Sequence, residues 1–156
     1  MTFEIIDADI AHCVKYLEKS QNKDPQIQNF LTRYLLVQIN GEYEKEIKRI
    51  VSKRSLEPGD GELAAFINET VDKIRNFRLS DIKGILNKFD SRRGDLFESW
   101  TGDSEDASMY SNIITNRHWS AHGQTIQMTL EEVIYAHKKA KTIIKLFQSA
   151  LYHHLS

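Results

Sequence analysis

Apolar residues recur at three- and four-residue intervals along nearly the whole chain, the spacing that lines one face of an α-helix. Ile6, Ile10, Val14 and Leu17 share a face of a first helix over about 7–19. A polar turn at 20–24 ends in Asp24-Pro25, an N-cap followed by proline at the first helical position, where its missing N–H costs nothing. From there to about residue 54 no second stop occurs: Ile27, Phe30, Leu31, Tyr34 and Leu35, then Tyr43, Ile47, Ile50 and Val51, hold the period. Gly41, midway, reads either as a kink or break or as a place where another helix backbone comes close. Residues 55–61 are a loop, and a third helix is expected over 62–77 through Leu63, Phe66, Ile67, Val71 and Ile74.

Ser80 is read as the N-cap of a short helix bearing Ile82, Ile85, Leu86 and Phe89, and Leu96, Phe97 and Trp100 mark another short segment after Arg92-Arg93-Gly94. The acidic stretch at 101–106 suits the positive end of a helix dipole. It introduces a helix over 107–122 with Met109, Tyr110, Ile113 and Ile114 on its apolar face. Thr129 and Glu132 form a capping box for a last helix, about 130–151, that buries Val133, Ile134, Ala140, Ile144 and Phe147. Alternation of the β type is confined to 125–129. The pattern predicts a single all-α domain over 1–156, an antiparallel helical bundle of four main helices with short helices inserted.

Composition narrows this only a little. The 156 residues are 40% apolar and 28% charged, ordinary for a globular domain with its own core. No run of about 18 apolar residues occurs, and the N-terminus lacks a basic region followed by an apolar core, so neither a membrane span nor a secretory signal is expected. Cys13 is the sole cysteine, which fits a reducing cytoplasm. With net charge −1, global electrostatics do not announce a nucleic-acid binder, and any RNA contact needs a local basic patch. Two runs offer one, Lys45, Lys48, Arg49, Lys53 and Arg54 along one helix and Lys88, Arg92 and Arg93 elsewhere; the ordinary fate of such runs is a solvated face.

The densest chemistry lies at 112–123, where an asparagine, an arginine, two histidines and a tryptophan crowd the last turns of a helix that Gly123 closes. His118 and His122 have the four-residue spacing of zinc ligands, but a metalloprotease also needs a glutamate beside the first histidine, and position 119 is tryptophan. Ser120 lies within a helix rather than on a nucleophile turn, Cys13 beside His12 reads as packing, and Pro-Gly-Asp-Gly at 58–61 has no P-loop lysine.

Arg117 and His122 remain. A cation that keeps its proton and an imidazole, a group that titrates near neutrality, suffice to cleave an RNA phosphodiester. The histidine moves a proton at the 2′-hydroxyl or the leaving 5′-oxygen, and the arginine braces the phosphoryl oxygens. Five residues along an ideal helix separate the two by about 140° and about 7.5 Å, so one helix does not converge them on one phosphate. The bland alternative is that Arg117 pairs with a carboxylate and His122 merely caps the helix.

Asn116-Arg117-His118-Trp119-Ser120-Ala121-His122-Gly123 resembles the Arg-X4–6-His signature of the HEPN superfamily, α-helical domains that include many metal-independent endoribonucleases and toxin or antiphage effectors. A polar residue often follows the arginine in that signature, and His118 matches; Ala121 and Gly123 flank the last histidine as in many members. Residues 31–54, with Asn40-Gly-Glu-Tyr-Glu44, and 82–100 resemble the RiboL-PSP group of that superfamily.

The resemblance implies Arg117 and His122 as the catalytic pair, with His118 and Asn116 in support. Glu44 is implied as an orienting carboxylate, with Glu42 and Glu46 as rivals. It implies RNA as substrate, no metal and no cofactor, a homodimer that builds its site from two chains, and an antitoxin or defence-system partner; Trp119 and Ile113 stand open between that interface and the monomer core. Gln124 stands where some toxin members carry a tyrosine that a nucleotidyltransferase antitoxin modifies, a departure from the pattern. A second class of function fits the same fold, a HEPN-like module that holds a nucleotide or protein without turnover; a third is a helical adaptor. A concave basic surface beside the pair favours RNA, and an electronegative one favours the adaptor.

Overall fold

The computed structural model describes every residue except 1–2, 21–23, 58 and 155–156, and builds the chain from seven helices among the described residues. They are α1 (Glu4–Ser20), α2 (Pro25–Leu56), α3 (Gly61–Asp72), α4 (Leu79–Phe89), α5 (Ser91–Thr101), α6 (Glu105–Ala121) and α7 (Leu130–Tyr152). No strand occurs among the described residues, and 125–129 is an extended connection. The four long helices are α1, α2, α6 and α7, with α3, α4 and α5 inserted between α2 and α6. Most of the polar turn at 20–24 and Pro58 of the 55–61 loop lie outside the described residues.

Local signals start several of these helices. Asp24 Oδ1 accepts from Gln26 N at 2.8 Å ahead of Pro25, and Thr129 exchanges capping bonds with Glu132 at 3.2 and 2.7 Å. Asp60, Asp90 and Ser104 cap α3, α5 and α6 in the same way, each side-chain oxygen satisfying a first-turn N–H that the helix cannot. Arg78, not Ser80, holds the N-cap position of α4, because Asp81 Oδ2 reaches back to Arg78 N at 2.9 Å.

Alpha2 is the axis of the fold. Leu35, Leu36, Ile39, Tyr43, Ile47, Ile50 and Val51 are buried along it, and it packs against α1, α3, α6 and α7. Gly41 neither breaks it nor marks a close helix crossing: α2 is continuous through it, and a Cβ there would meet nothing within 4 Å. At the centre the Tyr43 ring stacks on Tyr110 of α6 and on His137 of α7, centroids 5.6 and 5.8 Å apart, with Phe3 edge-on to both Tyr43 and His137.

Two expectations are corrected. The third helix ends at Asp72 instead of running to residue 77. Asn76 adopts a left-handed backbone, φ 54°, because the Glu44 carboxylate takes its N–H at 2.7 Å and the Asn40 amide donates to its side chain at 3.2 Å. Phe77, freed from the helix, is buried, and its carbonyl accepts from Tyr110 Oη at 2.6 Å. Phe30 and Tyr34 on α2 and Leu63 and Phe66 on α3 keep the apolar period yet face outward. Of the two residues left open between interface and monomer core, Ile113 is wholly buried in the core.

Candidate active site

The end of α6 is closed by two backbone bonds, Gln124 N to Trp119 O at 2.9 Å and Gly123 N to Ser120 O at 3.3 Å, with Gly123 at φ 68°. This pair of bonds is the Schellman arrangement, in which a left-handed residue lets the chain turn back on the last carbonyls. His122 occupies the C-cap, so its side chain leaves the helix at its final turn and is exposed. Two further contacts lock the turn from outside. Arg33 of α2 donates to Gln124 O at 3.0 Å and to Ser120 O and Oγ at 3.4 Å. Asn116, buried on α6, accepts from Gln127 N at 2.6 Å and donates to Asn112 O at 2.9 Å, holding the returning chain against the helix.

Within this frame His118 and His122 stand one turn apart, both exposed, with ring centroids 4.5 Å apart and planes tilted by 57°. Arg117 is half-buried; its Nε is sealed from solvent without a hydrogen-bond partner, and it enters no ion pair among the described residues. A buried guanidinium N–H without an acceptor is costly and rare, so Arg117 Nε stands out beside the histidines. The bland alternative for it, an ion pair with a surface carboxylate, is absent among the described residues. Asn116 is engaged in holding the loop rather than in the open.

Glu44 contacts neither Arg117 nor His122. Its Oε1 accepts from Asn40 Nδ2 at 3.0 Å and from Asn76 N, so its work is to fix the 73–78 loop. Its rivals are also engaged, Glu42 with Lys45 and Glu46 with Arg49.

The 73–78 loop borders a groove of about 730 Å³ that His118 also lines. Arg75 and Arg78 form one wall, Ser111, Thr115, His118 and Trp119 the other, and Asp81 is the sole carboxylate among its lining residues.

A model of the RiboL-PSP-HEPN family matches residues 2–153. The chain belongs to this family. No curated protein and no solved structure matches it.

In this RiboL-PSP-HEPN protein the two basic runs of the sequence are largely paired. On α2, Lys45, Lys48, Arg49 and Arg54 contact Glu42, Asp72, Glu46 and Glu57. Arg92 pairs with Asp90, while Arg93 donates to three carbonyls at the end of α7. These are mixed-charge faces. The groove cations Arg75 and Arg78 escape a reading of the sequence because they lie in a stretch whose spacing continues a helix; the only local sign is Asn76, a residue that tolerates a left-handed backbone.

Cys13 is buried, and desolvation, with the Asp9 charge second, pushes its thiol up, the opposite of what a nucleophile needs. Among the described residues no three His, Cys, Asp or Glu side chains gather as metal ligands, and no helix is long and apolar enough to cross a membrane.

Proposed function

We propose that the chain is an endoribonuclease acting through Arg117 and His122, with His118 in support, and that it needs no metal. The RNA 2′-hydroxyl attacks the adjacent phosphorus: the 2′-oxygen bond to phosphorus forms as the bond to the 5′-oxygen breaks, leaving a 2′,3′-cyclic phosphate and a free 5′-hydroxyl. One proton must leave the nucleophile and one must reach the leaving oxygen. Two imidazoles 4.5 Å apart can share those tasks. A guanidinium without an acid partner can take the charge building on the non-bridging oxygens. That conjunction, at the exposed end of one helix and beside a concave basic groove, carries the proposal. Membership of the RiboL-PSP-HEPN family supports a nuclease or RNA-related role.

The toxin or antiphage setting, with an antitoxin or defence-system partner, belongs to this proposal through the family resemblance alone. A second reading is favoured by one observation, that a helix intact to Ala121 keeps Arg117 and His122 about 140° apart. A lone copy would then hold RNA, a nucleotide or a protein without turnover, and cleavage would require two copies.

The deciding assay is cleavage of total cellular RNA in EDTA by the wild type and His122→Ala, with analysis of the new ends. The turn at 119–124 is held by backbone bonds, so the variant is expected to fold normally and to lose activity by roughly two to four orders of magnitude. Wild-type activity that vanishes in EDTA would overturn the metal-free chemistry. A wild type that binds RNA without cutting it would leave the binding module.

A further inference from the structure

We propose that the groove between the 73–78 loop and α6 is a track for single-stranded RNA next to the scissile bond, with a backbone phosphate held by Arg75 and Arg78 and a base laid on Trp119. The choice of polymer rests on the ribonuclease reading; the track itself does not depend on turnover.

Size is the first support. A volume of about 730 Å³ lies within the range of sites that engulf small organic groups, roughly 300–1,000 Å³. Charge is the second. Neither arginine is in an ion pair among the described residues, whereas the cations of the α2 run are mostly matched. Arg75 spends only Nη1, on the carbonyls of Asp72 and Ile74, which leaves the rest of its fork for an oxyanion. The one carboxylate of the lining, Asp81, is turned to the Arg78 backbone N–H.

The third support is rigidity. Asn76, which lies between Arg75 and the Phe77–Arg78 pair, is held left-handed by hydrogen bonds to Glu44 and Asn40, so the loop carrying both arginines is fixed to α2. Continuity is the fourth, because His118 lines the groove and also touches His122, so a strand in the groove leads directly to the proposed reacting phosphate. The half-buried Trp119 ring beside Ser111 and Thr115 suits a base with a polar edge better than it suits an acidic peptide.

The test uses the full chain and a 2′-O-methyl RNA hexanucleotide, which has no free 2′-hydroxyl and cannot be cut, followed by fluorescence anisotropy across a salt series. The variant Arg75→Gln/Arg78→Gln is expected to bind 10- to 100-fold more weakly, with the salt slope flattened by about 0.7 for each phosphate that is no longer neutralised. Arg78→Lys should keep most of the slope. Trp119→Ala should weaken binding by roughly tenfold with the slope unchanged, and Trp119→Phe should restore it. On cleavable RNA the arginine variants should raise KM with kcat changed little, since neither arginine touches the reacting atoms.

Arg75 also ties down the end of α3, so Arg78→Glu, on a side chain without such a duty, serves as the second variant. Wild-type binding and cleavage with all these variants unaffected would overturn the track and spare the ribonuclease. Groove-dependent binding with no cleavage would overturn the ribonuclease and spare the track. An acidic peptide of equal charge that binds as tightly as the hexanucleotide would overturn RNA as the occupant.

Discussion

His137 shows how one side chain ties the core to pH. It is 1% exposed, its Nδ1 meets Tyr43 Oη at 2.9 Å, and its Nε2 lies 3.2 Å from Asp7 Oδ1. Burial lowers its pKa to about 4; the Lys141 charge acts the same way, and Asp7 opposes both. In the unfolded chain a histidine titrates near 6.5. Between these values the unfolded state binds more protons, so stability is fully present above about pH 6.5 and is lost as pH falls toward 4. Urea unfolding is expected to show about 2 kcal/mol less stability at pH 5 than at pH 7, a difference that should shrink markedly in His137→Asn. An identical pH dependence in the two proteins would show that His137 does not stay neutral. Little near His137 in the sequence announces this: Lys141, four residues on, contributes, but the burial that dominates is assembled from residues as distant as Phe3 and Tyr43. Arg117 and His122 were legible as a pair of chemically useful types at a helix end. That Arg117 has no acid partner among the described residues was not, since it depends on where every carboxylate settles.

Among the elements, a glycine just past α6 and one within α2 separate backbone geometry from packing when replaced. At Gly123, just past the end of α6, a Cβ would have open space, but φ is 68°, so Gly123→Ala should destabilise the protein by about 1–2 kcal/mol and loosen the turn carrying His122. At Gly41 a Cβ is equally unopposed and the backbone is helical, so Gly41→Ala should stabilise by up to about 1 kcal/mol. Chemical denaturation of both variants should give opposite signs; equal signs would refute this account of the two sites. Helix starts were readable because a cap carries its own acceptor within three residues, as at Asp24 and at Thr129 with Glu132. The end of α3 was not, because the carboxylate that holds Asn76 left-handed just beyond it, Glu44, is 32 residues upstream of Asn76. The outward turn of Phe30, Tyr34, Leu63 and Phe66 was also hidden, since a stripe facing solvent has the same period as one facing the core.

At the scale of the whole molecule, Phe30, Tyr34 and Val37 form an exposed apolar stripe on α2, flanking the Arg33 that binds the turn at 120–124. A second copy packed on this stripe about a two-fold axis is the arrangement that the shared-site proposal would use. If the site is shared, mixing Arg117→Ala with His122→Ala chains should recover a substantial part of wild-type cleavage, while either variant alone stays inactive. A chain that sediments as a monomer at micromolar concentration yet cleaves at full rate would exclude the shared site. Alpha2 also works as a ruler. Arg33 grips the histidine-bearing turn and Glu44 grips the loop of Arg75 and Arg78, so the two halves of the region are indexed to one helix, eleven residues or about 16 Å apart along its axis. Inserting or deleting one residue between them would advance or retard one half by about 1.5 Å and turn it through about 100° relative to the other. The spacing between histidines and arginines is thus written into a helical rise, and a substrate meets it already set.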